Sequence, residues 1–404
     1  MGKLKFVIVG CGRIATLHVT GYRDNSDAEL WGVCDIDHGA AKKFAQAHGI
    51  PKVYSAYEEV LADRDVDAVE LLLPHHLHRE YTVRACAAKK HVSVQKPMAL
   101  NLGECDAMIG AAKENGVKLK VFENFVFYPP YRLAKKMLDS GEIGTPLGIR
   151  LKMNNASLAS RNIPSLNKKT KAGDSGEELG ETGWDVAPRS WIWRFNDSLS
   201  GGGPFVFDDG YHKFSTIMYL LGDVEKVVAW IDQTQVIPGV YNDVPAVVMW
   251  KHRDKKLYGV WDIMNSDEMF IQSKYYTCDE RVEITGSRGV IWVTRCTASL
   301  LPDVAPVIMY RDGKLSEFWD MKHDWADSFE ASTRDFVDAI KNDREPELSG
   351  ERGREVLRFA LAAIESSAKG REMYLDRYED KPLVKKHGLL GSILSNMTRK
   401  KAMT

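Results

Sequence analysis

Apolar, β-branched runs alternate with helix-like stretches along the first part of the chain, and this alternation limits the folds open to it. The run KFVIVG (5–10) is nearly continuous in apolar residues and ends in glycine, which is typical of a strand buried on both faces of a sheet. Helical patterns separate four further predicted strands, at 28–37, 66–74, 91–97 and 117–125. Strands and helices in this order form βαβ units. The sequence therefore predicts an α/β fold whose N-terminal domain, residues 1–125, is a Rossmann-type doubly wound parallel sheet.

The pattern changes after residue 126. Six strand-like segments, from TPLGIRLKMN to GVIWVTRC, follow one another with turn signals between them and few helices. This order is typical of an α+β domain with a large, mostly antiparallel open sheet, which we expect over 126–384. A polar segment at 155–183, rich in Gly, Ser and Lys, predicts a long loop or insertion. The remaining residues, 385–404, form a tail that either frays or packs on a partner subunit.

Charge and cysteine usage argue against several kinds of partner. The 404-residue chain carries 55 basic and 56 acidic side chains, so nothing in its charge suggests nucleic acid or an anionic membrane as a partner. None of the six cysteines forms a C-x-x-C pair, so the pattern indicates neither a zinc site nor a dithiol redox motif. Scattered cysteines and the lack of an apolar run of membrane-spanning length predict a cytoplasmic protein.

The segment GCGRIA (10–15) follows the first strand and opens a helix. Gly10 permits a tight turn and Gly12 lets the backbone approach a pyrophosphate, while the helix start at Arg13 and Ile14 offers free N–H groups to the anion. Asp35 ends the second strand, where a carboxylate accepts the ribose hydroxyls of NAD and repels the 2′-phosphate of NADP. A glycine turn alone is a weak signal, and Asp35 could simply end a strand. Strand, glycines, helix and acid in register predict NAD as the cofactor.

Four later motifs are informative together. LPHHLH (73–78), VQKP (94–97), DSGEIGTPLGIR (139–150) and GGGPFVFDDGYH (201–212) occur in this order. They resemble the T-P-N-x-x-H segment, the E-K-P signature, the start of the second domain and the glycine-rich stretch before D-x-x-x-H in the Gfo/Idh/MocA family of NAD(P)-dependent sugar and cyclitol oxidoreductases. The resemblance covers nearly the whole chain. It implies a homo-oligomer assembled through the exposed sheet face of the second domain.

The resemblance also places cofactor contacts at two strand ends. The residues implied are Leu73, Pro74, His75, His78, Gln95 and Lys96. Three of these depart from the family's pattern, because Leu73 replaces Thr, His75 replaces Asn and Gln95 replaces Glu. At Gln95 a carboxylate contact to the cofactor becomes an uncharged amide. We expect such changes to retune cofactor affinity or nicotinamide orientation and to leave the proton chemistry in place.

Oxidation of a secondary alcohol sends a hydride to nicotinamide and a proton to a base, and the pKa of histidine lies near neutrality. His212 is the candidate base, and Asp208, one helical turn earlier, would orient it or share its proton. Lys96 would stabilise a developing alkoxide at the C-terminal edge of a parallel strand. In a plainer interpretation, Asp208 or Asp209 is only the N-cap of a helix ending at Gly222. The family resemblance favours the catalytic interpretation.

Substrate contacts are predicted for Asn124, Trp193 and Arg194. Indole faces stack on the apolar face of a pyranose, and Arg or Asn can bind hydroxyls, although tryptophans also simply fill space. Weaker candidates are Trp184, Trp191, Tyr275 and Tyr276. No metal site is predicted, because no matching Cys or carboxylate cluster accompanies His75, His76 and His78.

These residues together predict an NAD-dependent oxidoreductase that acts on a secondary ring hydroxyl of a sugar, glycoside or inositol. The aromatic residues before the glycines suggest a glycoside, oxidised at C3 to a keto-sugar. Two alternatives remain open at this point. One is a glycoside-cleaving enzyme that works by transient oxidation and elimination, and the other is a non-catalytic, dinucleotide-binding regulatory protein.

Overall fold

The computed structural model describes residues 2–156, 192–237, 240–266, 269 and 271–380 of the chain. Six strands form the N-terminal sheet: β1 (Leu4–Val9), β2 (Ala28–Cys34), β3 (Lys52–Tyr54), β4 (Ala68–Leu71), β5 (His91–Gln95) and β6 (Leu119–Phe122). Their order is β3-β2-β1-β4-β5-β6, and all neighbouring pairs are parallel. The predicted doubly wound parallel sheet is confirmed, and it brings the carboxyl ends of the strands to one edge.

The N-terminal helices begin and end at residues suited to those positions. They are α1 (Ala15–His18), α2 (Thr20–Arg23), α3 (His38–His48), α4 (Tyr57–Ala62), α5 (His78–Ala87) and α6 (Leu102–Asn115). The side chain of Asp37 caps α3 by accepting from the Ala40 N–H, and Asn101 caps α6 in the same way. Both helices end at a left-handed glycine, Gly49 or Gly116, as the sequence predicts.

The short strand β3 and helix α4 were absent from the sequence prediction, which had five strands in this sheet. Strand β3 has only three residues and α4 only six. Segments of this length do not complete a recognisable hydrophobic period. They add an edge strand next to β2 and leave the predicted strand ends in place.

The second domain is built on a nine-stranded sheet. Its elements include β7 (Pro146–Ala156), β8 (Val224–Ile231), β9 (Thr234–Ile237), β10 (Val240–Asn242), β11 (Ala246–His252), β12 (Tyr258–Ser266), β13 (Cys278–Gly286), β14 (Gly289–Val293), β15 (Val307–Arg311), β16 (Lys314–Phe318) and β17 (Met373–Tyr374). The large sheet has the order β16-β15-β14-β13-β7-β12-β11-β8-β17, and β9 and β10 pair separately. Only the β7–β12 pair is parallel within this described sheet, which confirms a mostly antiparallel sheet.

Helices α7 (Pro129–Asp139), α9 (Gly210–Leu221) and α11 (Gly350–Lys369) cover one face of this sheet. The other described helices of the second domain are α8 (Asp197–Ser200) and α10 (Asp327–Lys341). Phe214 of α9 packs against Phe359 of α11 and edge-on against Trp261 of β12. The opposite face carries exposed apolar side chains, among them Trp230 and Tyr258. The sheet is therefore open on one side, as predicted.

Helix α10 returns to the N-terminal domain and packs on α2. Its Phe336 contacts Phe6 of β1, and its Thr333 lies so close to Gly21 that a methyl group there would clash. A helix of the second predicted domain therefore packs on the first. The tail from 385 and nearly all of the 155–183 segment lie outside the described residues. Among the described helices, none is long and apolar enough to cross a membrane.

Candidate active site

The glycine-rich turn lies at the carboxyl edge of the parallel sheet, between β1 and α1. Gly10 has φ +102°, and a Cβ there would lie 2.3 Å from the Leu72 carbonyl oxygen, so glycine is required. Around Gly12 a Cβ would meet no atom within 4 Å, and Arg13 is exposed. Ile14 is half-buried against the core. The turn therefore presents open backbone where a pyrophosphate would lie.

Asp35 lies at the end of β2 beside this turn. Its Oδ2 accepts from the Cys11 N–H at 2.7 Å, and its Oδ1 accepts from the Asp37 N–H at 2.8 Å. The carboxylate is thus fixed next to the glycine turn, where a carboxylate can accept hydrogen bonds from ribose hydroxyls. Ile36, which the sequence analysis did not consider, is 105% exposed and offers apolar surface for an adenine ring. These residues fit NAD.

The LPHHLH segment contains both half-buried and buried residues. Leu73 and Pro74 are half-buried at the sheet edge, while His75 and His78 are buried. His78 faces backbone carbonyls with both ring nitrogens, namely Pro97 O through Nδ1 and Leu73 O through Nε2. It therefore joins the ends of β4 and β5, and its contact with the cofactor stays a prediction.

His75 faces the second domain. Its Nδ1 is 2.8 Å from the Ser200 carbonyl oxygen, its Nε2 is 3.8 Å from Asp208 Oδ1, and Trp193 packs edge-on against its ring. Burial lowers the pKa of His75 to about 3. A neutral His75 that donates from Nδ1 to Ser200 has no proton on Nε2 for Asp208, so it contributes by packing against Trp193, and its 1% exposure leaves little surface for the predicted cofactor contact.

Gln95 is part of a buried polar chain that explains why an amide occurs there. Glu70 of β4 and His18 are both buried, and His18 Nδ1 lies 2.9 Å from Glu70 Oε2. Because Nδ1 donates to the carboxylate, Nε2 must accept, and the Gln95 amide donates to it at 3.1 Å. The Gln95 oxygen in turn accepts from the Lys96 N–H at 2.8 Å. An ionised glutamate could not donate to His18.

Lys96 and Asp208 meet across the two domains. Lys96 Nζ donates to Asp208 Oδ1 at 2.8 Å and to the Asp208 carbonyl at 3.0 Å. Arg194 Nε donates to Asp208 Oδ2 at 2.7 Å, and its guanidinium lies over the Trp193 ring. Although burial opposes ionisation, Lys96 and Arg194 hold the pKa of Asp208 well below its usual range. Asp208 is therefore an ionised carboxylate that positions two cations.

His212 lies one turn beyond Asp208 but contacts a different carboxyl group. Its Nδ1 lies 2.6 Å from Glu123 Oε2, and its ring stacks on Phe125 with centroids 4.0 Å apart. The close approach is not aligned as an ordinary hydrogen bond. Both carboxylate oxygens of Asp208 accept hydrogen bonds from Lys96 and Arg194. The carboxyl group that contacts His212 is therefore that of Glu123, and not that of Asp208 as expected. Catalytic hydrogen bonds are often poorly aligned before substrate binds.

The N-cap interpretation of the two aspartates does not describe this segment. A π-helical turn, Pro204–Asp209, leads directly into α9, and Asp209 makes no side-chain capping bond. Asp209 instead pairs with Lys213 at 3.0 Å, and Lys213 also contacts Glu280 of β13. This buried ion cluster was not predicted, although a lysine within an apolar helix pattern is a visible signal of it.

The predicted substrate residues have different surroundings. Asn124 is buried and donates to Ser328 Oγ at 2.7 Å, so its amide N–H links β6 to α10. Trp193 and Arg194 lie beside Asp208. The Tyr275 hydroxyl donates to Asp324, whereas Tyr276 is 40% exposed and packs on Trp325. Trp184 and Trp191 lie outside the described residues.

Glu123 is not among the residues predicted from the sequence, although its neighbour Asn124 is. It directly follows β6, and its side chain is completely buried. The signal for it is a charged residue at the carboxyl end of a predicted parallel strand, which is where such sheets bind ligands.

Known proteins support the family resemblance. A model described as oxidoreductase family, NAD-binding Rossmann fold, matches residues 4–123, and a model described as oxidoreductase family, C-terminal alpha/beta domain, matches residues 180–375. Both are models of the Gfo/Idh/MocA family. Their order and coverage agree with the two sheets described above.

Individual relatives span nearly the full length. A myo-inositol 2-dehydrogenase of Thermotoga maritima is 26% identical over 92% of this chain and 99% of its own. A D-apiose dehydrogenase of Paraburkholderia graminis is 24% identical over 93% of this chain and 91% of its own. Among solved structures, a levoglucosan dehydrogenase in complex with NADH and levoglucosan superposes with a TM-score of 0.74 at 20% identity, covering 93% of this chain and 100% of that one. The chain therefore belongs to the Gfo/Idh/MocA family of NAD-dependent oxidoreductases.

Proposed function

We propose that this enzyme oxidises a secondary hydroxyl on the ring of a sugar, glycoside or inositol, with His212 as the base. The observation that carries this proposal is the convergence of Lys96, Asp208 and His212 from two domains next to the fitted NAD site. When bound, NAD supplies the hydride acceptor. In this proposal Lys96 stabilises negative charge on the substrate oxygen, and His212 takes the hydroxyl proton.

Charges in the site favour an uncharged substrate. The cations Lys96 and Arg194 share Asp208, while Lys213 is neutralised by Asp209 and Glu280. Each of these three cations already has a carboxylate partner, which an anionic substrate would have to displace or share. Trp193 adds an aromatic surface suited to a pyranose ring. A neutral polyol is therefore the proposed substrate class, with C3 of a glycoside as one candidate position.

The direct test is a panel assay with NAD. Purified enzyme is incubated with NAD and with sugars, inositols and glycosides, and NADH formation is followed by absorbance. We expect NADH from at least one neutral ring polyol and none from the matching phosphate ester. A companion assay with a keto-sugar acceptor covers an enzyme that retains its cofactor. Release of aglycone without net NADH would instead support the glycoside-cleaving alternative.

We also propose that the enzyme is a homo-oligomer formed through the exposed sheet face. Cross-strand partners place several large apolar side chains on that face, and they include Trp230, Met249, Tyr258, Met264 and Tyr310. Exposed apolar patches of this kind mark interaction surfaces on soluble proteins. A second copy of the chain would cover them with an identical, complementary surface.

A further inference from the structure

We propose that Glu123 and His212 act as one proton-sharing unit, in which Glu123 is the positioning residue that enables the imidazole to work as a base. The inference deepens the proposed function and rests on it. It starts from one turn of the chain, residues 123–125, which contacts the imidazole at its edge and on its face.

The two carboxyl oxygens of Glu123 contact different groups, and these two contacts fix the side chain. Oε1 accepts from the Phe125 N–H at 2.7 Å, and Oε2 lies 2.6 Å from His212 Nδ1. Its side chain is 0% exposed and has no Lys or Arg ion-pair partner among the described residues. The stacked Phe125 ring fixes the plane of the imidazole. With Nδ1 directed at Glu123, Nε2 is the nitrogen that remains for a substrate hydroxyl.

The charges around the unit explain why an imidazole alone would be a poor base here. Lys96 from the end of β5 and Lys213 from α9 both lie near it, opposed by Asp209; Tyr211 and Cys296 are the other titratable neighbours. Burial, followed by Lys96 and Lys213, holds the pKa of His212 well below its ordinary value. A lone imidazolium would add a third positive charge to this buried region.

Glu123 removes that difficulty. Burial raises its pKa to about 8, so the pair holds an extra proton at neutral pH. In the form able to act as a base, Glu123 is ionised, Nδ1 carries the hydrogen and Nε2 has a free lone pair. When the substrate O–H bond breaks, its proton bonds to Nε2, and the pair passes from a net charge of −1 to zero. Bound NAD would supply the acceptor for the hydride that leaves the carbinol carbon, which balances the step. Proton uptake therefore creates no net positive charge beside the two lysines.

A pH–rate profile tests the proposal. The wild-type rate of alcohol oxidation should fall as pH drops below about 8, because the pair is then protonated, and keto-sugar reduction should show the opposite trend. Glu123→Gln should lower kcat about a hundredfold and move the acidic limb to lower pH, because the imidazole then titrates alone. Glu123→Asp keeps a carboxyl group but moves it away from the imidazole, so it should retain part of the rate, with a midpoint that is still basic but displaced from the wild-type value. Glu355→Gln, at a half-buried position on α11 where Glu355 pairs with Arg358, should keep the wild-type profile.

A measurement without turnover separates this inference from the proposed function. Infrared difference spectra of the wild-type protein should show a protonated carboxyl band that disappears near pH 8, and Glu123→Gln should lack it. If no polyol yields NADH but this band is present and depends on Glu123, the shared proton stands and the substrate assignment fails. An unchanged pH profile in both Glu123 variants, or a band that survives in Glu123→Gln, would overturn the inference. If Glu123→Gln does not fold, a shifted band midpoint in Glu123→Asp supports it and an unmoved one refutes it.

Discussion

Lys96 and Asp208 are 112 residues apart in the chain, and their side chains meet at 2.8 Å. Lys96 follows β5 of the Rossmann domain, whereas Asp208 belongs to the π-helical turn that opens α9 in the second domain. The pair therefore exists only when the two domains close on one another as described. Because Asp208 is held ionised, it fixes the ammonium group at one point of the crevice.

Removing the charge of Lys96 should affect catalysis more than binding. Lys96→Met keeps the length of the stem and deletes the cation. We expect kcat to fall by roughly a hundredfold to a thousandfold, which is the cost of losing one preorganised stabilising group. Steady-state kinetics with the polyol found in the panel assay check this.

Arg194→Met is the matched comparison for Lys96→Met. It removes the other cation bound to Asp208, which contacts Oδ2 of the carboxylate where Lys96 contacts Oδ1, and which is a predicted substrate contact. We expect it to raise KM with a smaller effect on kcat, since it removes substrate binding. Equal loss of kcat in the two variants would show that Lys96 has no special role.

Asp35 should set the preference for NAD over NADP. Asp35→Ser removes the negative charge that opposes a 2′-phosphate. We expect the ratio of the association constant for NAD to that for NADP to fall by at least about tenfold, or about 1.4 kcal/mol. Titration calorimetry with each dinucleotide measures the ratio. Asp37→Ser, which keeps a capping hydroxyl on α3, should leave it unchanged. The idea is wrong if both variants discriminate as the wild type does.

Gln95 should be required as a donor to His18. Gln95→Met removes the donor without adding charge, and it should lower the free energy of unfolding by roughly 1–3 kcal/mol, because a buried acceptor is left unpaired. Gln95→Glu also removes the donor and places a second carboxylate beside an imidazole already bound to Glu70, so it should be no more stable than Gln95→Met. Chemical denaturation of the three proteins checks this; a Gln95→Glu protein as stable as the wild type would contradict it.

Most of the fold could be predicted because it follows from local patterns. Strand β1, the turn at Gly10 and the glycine ends of α3 and α6 each result from a few neighbouring residues. Strand β3 could not be predicted, since three residues carry no period. The packing of α10 on the N-terminal domain also has no local signal in the sequence, because an amphipathic pattern does not indicate which domain the helix packs against.

The site was predictable only in part, for a related reason. The family resemblance identified Lys96, Asp208 and His212, but the partner of each depends on contacts between distant segments. Sequence spacing suggested Asp208 for His212, whereas the tertiary structure gives that position to Glu123. His78 likewise matches a cofactor motif, and its ring lies between the backbone carbonyls of Pro97 and Leu73. Motifs predict which residues gather at a sheet edge, and packing decides which of them meet.

The exposed sheet face should determine the assembly state. Trp230 on β8 is 61% exposed and Tyr258 on β12 is 58% exposed, and both lie on the face opposite the covering helices. We expect light scattering after gel filtration to give the wild type a mass at least twice that of one chain. Trp230→Glu combined with Tyr258→Glu should shift it toward the monomer, because two buried carboxylates at an interface cost several kcal/mol. Leu301→Glu changes an exposed apolar residue in a loop and should leave the mass unchanged. A wild-type protein that elutes as a monomer, or a double variant that keeps the wild-type mass, would exclude this face as the subunit interface.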